Sequence, residues 1–206
     1  MSIFTLILAF VIARHALPGF HSLPWFSNIT FSDGANPFTL EGHFDKPWAG
    51  IILMLAYSPL SPGIKTPQRA FIGALAASTL MIVIGIIAAV PVEPKWQPAI
   101  AVFLLHNLFF TCIAEEVFFR LLLQQPLHQA FDRFRYGNAL AIITVSTLFL
   151  AVHFHPGISL NSLALIGIGG TLYAVIYHVT RAAQWSILTH FLTNALHIIL
   201  LRYPLS

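Results

Sequence analysis

Stretches of apolar residues, most of them long enough to cross a membrane, alternate with short polar breaks along this chain. They run Ile3 to Leu17, Trp48 to Leu60, Ala70 to Val90, Pro98 to Leu123, Asn138 to His153, Leu160 to Val179 and Trp185 to Leu201. Roughly 20 apolar residues in a row span the hydrocarbon core as an α-helix, because a helix satisfies its own backbone hydrogen bonds where no water can. The pattern predicts an all-α integral membrane protein, a polytopic bundle of about six to eight transmembrane helices, with residues 1–206 forming a single transmembrane domain. The first run resembles a signal-peptide core, but no Lys or Arg precedes it and Arg14 follows it, so it reads as an uncleaved span. The second is short and ends in proline, which suits a re-entrant segment better than a crossing. Between them, Pro18 to Pro47 is rich in Pro, Gly, Asn and aromatic residues. Trp25, Phe26 and Trp48 suit the bilayer interface, so a lipid-surface loop is expected there. The run "GIGGT", Gly167 to Thr171, predicts a small-residue face for close helix packing.

Composition sharpens the class. Of 206 residues, 57% are hydrophobic and 8% charged, with a mean hydropathy of +0.81, where a soluble domain carries about 25% charged residues. The net charge of +3 comes from Lys and Arg scattered singly. No basic cluster follows a phosphate backbone, which argues against nucleic acid as a partner. The charges read as topology signals instead. If all seven runs span, Lys65, Arg69, Arg133, Arg135 and Arg181 fall on the side of the N-terminus, which makes that side cytoplasmic, while Arg14, Lys46, Lys95 and Arg202 fall on the other; a re-entrant second run inverts everything downstream of it. A prokaryotic inner membrane is the expected location. The single cysteine, Cys112, leaves no internal disulfide and no Cys-based zinc site, and is expected to pack.

Against this apolar background, "CIAEEVFFRLLL", Cys112 to Leu123, holds two adjacent glutamates and an arginine. A charge at a helix centre costs roughly 2.5 to 3.5 kcal/mol on insertion, so each is a functional candidate. On a helix Glu116 and Arg120 share a face and can pair, while Glu115 is turned away by about 100 degrees. Glu115 is then a free carboxylate able to deprotonate water, which hydrolysis requires alongside donors for the charge that develops on a carbonyl oxygen. "FLAVHFHPG" sets Phe149 four residues before His153, which can help Glu115 hold that water. "THFLTNALH" sets His190 and Asn194 four apart on one helix face, where both can donate to one oxygen. His197 shares that face and reads as a bystander. His106, His128 and His178 follow no motif spacing with another polar group.

The motifs "EEVFFR", "FLAVH" and "HFLTN", in this order on three helices, resemble EExxxR, FxxxH and HxxxN of the CAAX-prenyl-protease type II and bacteriocin-processing (CPBP, or ABI) intramembrane proteases. The resemblance covers about the second half of the chain, and the motif-bearing catalytic half runs from about residue 98 to residue 201. It implies a glutamic-type intramembrane endopeptidase in which Glu115 and His153 activate water and His190 with Asn194 form the oxyanion site. Glu116 and Arg120 then support the fold, and Phe149 packs against the site. It implies no metal and no organic cofactor, and a protein or peptide substrate cut in a membrane-embedded or C-terminal segment.

Other readings of the same residues stay open. Glu115 alone can serve as a structural hydrogen-bonding group, Arg120 can hold a peptide carboxylate, His153 can be an interfacial histidine, and His190 with Asn194 can be an interhelical pair. Neither HExxH nor GxSxG occurs, and no aspartate lies within an apolar run. A zinc enzyme built on Glu115, His153 and His190 remains an alternative ligand set, as does a non-catalytic transporter or immunity protein of the same fold. One conflict is internal. Counted at about 1.5 Å per residue from the cytoplasmic ends, Glu115 and His190 lie about 10 to 12 Å deep, but His153 lies about 22 Å deep.

Overall fold

The structure, a computed structural model, describes residues 7, 11–12, 19, 21–57 and 66–204. Most of the expected first span, together with Arg14, Lys65 and the end of the second apolar run, lies outside the described residues. A hairpin of β1 (Leu23–Ile29) and β2 (Phe38–Gly42) leads into α1 (Asp45–Tyr57) and α2 (Pro67–Ile87). These are followed by a long composite helix α3 (Pro98–Phe131), then α4 (Gly137–His153), α5 (Leu160–Thr180) and α6 (Ala183–Leu200). The protein is an all-α membrane protein, as the hydropathy pattern requires. Among the described residues α2, α3 and α5 are each long and apolar enough to cross a membrane, and α4 is a shorter apolar helix. Ile72, Ile87, Ile143, Leu160 and Val179 all point outward, the inverse of a soluble surface and the arrangement hydrocarbon favours. The thirteen residues of α1 rise only about 20 Å, short of the roughly 30 Å hydrocarbon core.

Local sequence explains where the helices begin and end. Pro67 and Pro98 open α2 and α3 at the first turn, where a missing N–H costs nothing. Ser159 caps α5 by accepting from the Ser162 N–H, and Arg181, in the left-handed region at φ 54°, ends it. The turn back into α6 then brings the last two helices side by side. On the α5 face that carries "GIGGT", a Cβ on Gly170 would lie 2.6 Å from the Phe149 ring. That glycine therefore sets how closely α4 and α5 approach. Ser78 of α2 donates to the carbonyls of Ala74 and of Thr189 in α6, at 2.9 and 3.1 Å.

The connection expected as a lipid-surface loop is a folded cap. β1 and β2 pair antiparallel, Leu23 opposite Gly42 and Ile29 opposite Phe38, with two irregularities in register. Phe26, expected at the lipid interface, instead turns inward and packs edge-on against Phe31. Phe31 and Phe38 then contact Phe103 of α3 and Tyr203 near the C-terminus. Mutual burial of aromatic rings in edge-on geometry outweighs their interfacial preference here. Trp25 and Trp48 stay exposed, as interfacial residues do. The segment after α2 is laced to the end of α6 by Glu93 N–H to Leu200 O, Lys95 N–H to Ile199 O and Arg202 N–H to Pro91 O.

The conflict in depth between Glu115 and His153 disappears because α3 does not end at Leu123. It continues through Pro126 to Phe131. The turn after Phe131 is shared with the start of α4, and Glu115 and His153 each lie sixteen residues from it, counted from Phe131 and from Gly137. Both are therefore about 24 Å along antiparallel helices.

Candidate active site

Helix α3 is not uniformly α-helical. Asn107–Cys112 and Val117–Gln124 are π-helical, and the four residues Ile113–Glu116 between them are α-helical. Stretches of π-helix are strained, rare and frequent at functional sites. The two glutamates sit in the α-helical interlude, so consecutive side chains diverge by about 100 degrees. Gly50 of α1 lies against Ala114 here, where a Cβ would approach the Ala114 Cα to 2.8 Å. The short helix α1 thus buttresses the glutamate pair from outside.

Glu116 is fully buried and has two partners. Its Oε2 accepts from Arg120 Nε at 2.6 Å, and its Oε1 accepts from His190 Nδ1 at 3.0 Å. Arg120, also fully buried, donates from Nη1 to Gln124 Oε1 at 2.9 Å and from Nη2 to the Gly170 carbonyl at 3.5 Å. Gln124 donates in turn to the Ala174 carbonyl at 2.8 Å and meets His128 Nε2 at 3.3 Å. The result is a polar ladder with one rung per helical turn, at residues 116, 120, 124 and 128. It joins α3 to α5 and α6 through groups that would each be costly to bury alone. Arg120 does not line the cavity described below.

Glu115 is turned to the other side. Its Oε2 is shielded from solvent and has no hydrogen-bond partner among the described residues. It faces His153 Nε2 at 3.7 Å, beyond hydrogen-bond range. His153 Nδ1 is engaged with the Phe149 carbonyl at 2.8 Å. A carbonyl only accepts, so Nδ1 carries the hydrogen, and in the neutral ring Nε2 presents a lone pair to the carboxylate. The Phe149 ring stacks on His153 at 4.5 Å and meets His190 edge-on at 6.1 Å, while Tyr173 stacks on the other histidine, His190, at 4.6 Å. Both imidazoles are thereby held in orientation by aromatic faces.

Asn194, one turn beyond His190, donates from Nδ2 to Asn107 Oδ1 at 3.2 Å. Cys112 Sγ donates to the same oxygen at 3.2 Å. Asn107 was invisible to motif spacing. It lies five residues before Cys112, a separation that faces the two side chains together only in a π turn, where bonds run i to i+5. A carboxamide within an apolar run was the available signal.

Glu115, His153, His190 and Asn194 all line one cavity of about 470 Å³. Phe149, Tyr173 and Thr193 complete the wall they share. Its other walls come from α2, the α4–α5 turn, α5 and the segment after α6, including Met81, Ile82, Leu165 and Tyr203. His155 and His197 also line this cavity, and the other described histidines of the helices go elsewhere. His106 meets the Glu41 carbonyl, while His128 and His178 pack together at 5.1 Å at the far end of the ladder. Among the described residues no three His, Cys, Asp or Glu side chains are grouped as a metal-binding set. Glu115, His153 and His190, the alternative zinc set, are not so grouped.

A helix bundle in the membrane that gathers a carboxylate, two imidazoles and a carboxamide around one cavity belongs, as a class, with proteins that handle polar chemistry inside a bilayer. The sequence model of the Rce1-like family, type II CAAX prenyl endopeptidases, matches residues 96–196, from just before α3 to near the end of α6. Over that segment, just under half of the chain, the match supports a CAAX-type intramembrane endopeptidase in general terms. Comparison with curated proteins and with solved structures gives no match.

Proposed function

We propose that this protein hydrolyses a peptide bond near the C-terminus of a membrane-associated protein or peptide by direct attack of water, without a covalent intermediate. The observation that carries this reading is the pairing of Glu115 Oε2 with His153 Nε2 at 3.7 Å on a cavity wall that also bears His190 and Asn194. Two acceptors at that separation, neither satisfied by the other, suit a water that gives one O–H to each and leaves a lone pair for the substrate carbonyl.

In the reaction, the water oxygen bonds to the carbonyl carbon and its proton passes to Glu115 or His153. The carbonyl oxygen becomes an oxyanion, which accepts hydrogen bonds from Asn194 Nδ2 and His190 Nε2. For Nε2 to donate while Nδ1 is bound to Glu116, the His190 ring must carry both hydrogens. The fully buried Glu116 carboxylate is the counter-charge for that state, with Arg120 neutralising it when the ring is neutral. Collapse breaks the C–N bond, and the proton taken from water goes to the departing amine, leaving a carboxylic acid and an amine, which ionise to carboxylate and ammonium. This chemistry requires no metal. We assign the protein one transmembrane domain in the inner membrane of a prokaryote.

Comparison of protein C-termini in membranes from cells carrying the intact chain and cells carrying Glu115→Gln tests the reading. New C-termini present only with the intact chain support it. Identical C-termini, in cells where both proteins accumulate equally, refute it.

A further inference from the structure

His197 lies one residue past the segment that the family comparison covers, and the mechanism above makes no use of it. It nonetheless lines the same cavity and stands on the face of α6 that carries His190 and Asn194, four and three residues apart in turn. Its ring is fixed by a backbone hydrogen bond to Arg202 and by an edge-on contact with Tyr203 at 5.7 Å. The other ring nitrogen, Nε2, is shielded and has no partner among the described residues. A buried polar atom left unpaired is costly and calls for a ligand. With the ring hydrogen given to the Arg202 carbonyl, Nε2 holds a lone pair and takes an N–H. The rest of the cavity narrows what can bring one. Among the described residues Glu115 is its only Asp, Glu, Lys or Arg, and Met81, Ile82, Val90, Leu165 and Ile166 supply much of the remaining wall.

We propose that His197 is a substrate-binding residue, its Nε2 accepting a backbone N–H of an uncharged, apolar peptide segment two to three residues from the bond that is cut. The proposal rests on the peptidase reading for the position of that bond. A scissile carbonyl held between His190 and Asn194 lies about 5 to 10 Å along the helix from His197, and an extended peptide advances about 3.3 Å per residue. Apolar side chains fill the pocket around the backbone, and the imidazole sets its register.

An ester scan tests this. The probe is an internally quenched peptide of Ala, Val, Leu and Phe, with analogues in which one backbone N–H at a time is replaced by oxygen. Binding and cleavage are both measured with the purified full-length protein in detergent micelles. One analogue, two to three residues from the cut, is expected to bind the intact protein about fivefold more weakly than the parent. His197→Phe is expected to bind the parent about fivefold more weakly and to lose sensitivity to that ester. His197→Gln keeps an acceptor near Nε2 and should retain the sensitivity; His197→Leu replaces the Phe variant if thermal melting shows that it fails to fold. A flat ester scan in the intact protein overturns the proposal, as does equal ester sensitivity in the intact and acceptor-free proteins, or binding of charged peptides in preference to apolar ones. Ester-sensitive binding that depends on His197 but is never followed by cleavage upholds the subsite and counts against the peptidase reading.

Discussion

Adjacent glutamates with opposite surroundings call for opposite responses to one perturbation. In Glu116→Gln, the amide presents one acceptor and one donor group to two donors, Arg120 Nε at 2.6 Å and His190 Nδ1 at 3.0 Å. Arg120 then loses its counter-charge in a fully buried site, and His190 Nδ1 keeps a partner only by giving up its hydrogen and accepting from the amide. Removing one member of a buried ion pair costs about 3 to 5 kcal/mol, which for a chain of this size is a fall in Tm of about 6 to 20 °C. In Glu115→Gln nothing comparable is lost, because Oε2 makes no hydrogen bond, so stability should change by less than about 1 kcal/mol. Activity should respond in both, by about 100-fold or more at Glu115, which supplies the base. At Glu116 the expected loss is also about 100-fold, because the counter-charge that supports a doubly protonated His190 is gone. The assay is a thermal ramp of the purified proteins, followed by tryptophan fluorescence in one detergent, beside cleavage of one peptide. The reasoning fails if Glu115→Gln melts as low as Glu116→Gln, or if it cleaves within tenfold of the unaltered protein.

Other perturbations probe the remaining parts of the site. Asn194→Ala removes an oxyanion donor and should lower kcat about 100- to 1000-fold, with circular dichroism and melting unchanged. Asn107→Leu keeps volume but removes the acceptor that orients Asn194 at 3.2 Å; kcat should fall about tenfold with KM unchanged, and equal changes in both would mean a general loss of packing. If the chemistry needs no metal, protein dialysed against a strong chelator should cleave at its original rate, measured before and after zinc is restored. A loss reversed only by zinc would require the Glu115, His153 and His190 set to rearrange.

How much of this was readable beforehand depended on spacing. Glu116 with Arg120, Phe149 with His153, and His190 with Asn194 are each four residues apart on helices, the separation at which helical side chains meet. The residues that escaped notice obey other geometries. Asn107 reaches Cys112 across five residues because α3 is π-helical there, and apolar residues dominate that run whichever helix it forms. Tyr173, stacked on His190, and Gln124, bound to the Ala174 carbonyl, depend on how α5 lies against its neighbours, which no local pattern encodes. Phe26 and its aromatic partners were misplaced at the lipid surface for a related reason. Aromatic residues suit both an interface and a packed cluster, and the choice turned on the distant Phe103 and Tyr203.

The π-helical stretches also explain how one helix serves three neighbours. A uniform α-helix presents Glu115 and Glu116 about 100 degrees apart but carries its other residues around at the same fixed increment. With Asn107–Cys112 and Val117–Gln124 wound more widely, Asn107 reaches Asn194 on α6 while Arg120 and Gln124 reach the carbonyls of Gly170 and Ala174 on α5. Glu115 is left facing His153 on α4. The ladder binds α3 firmly on one side, while on the other the Glu115 Oε2 has no hydrogen bond among the described residues that would compete with its use as a base. In such an arrangement, stability and reactivity reside on two faces of the same turn.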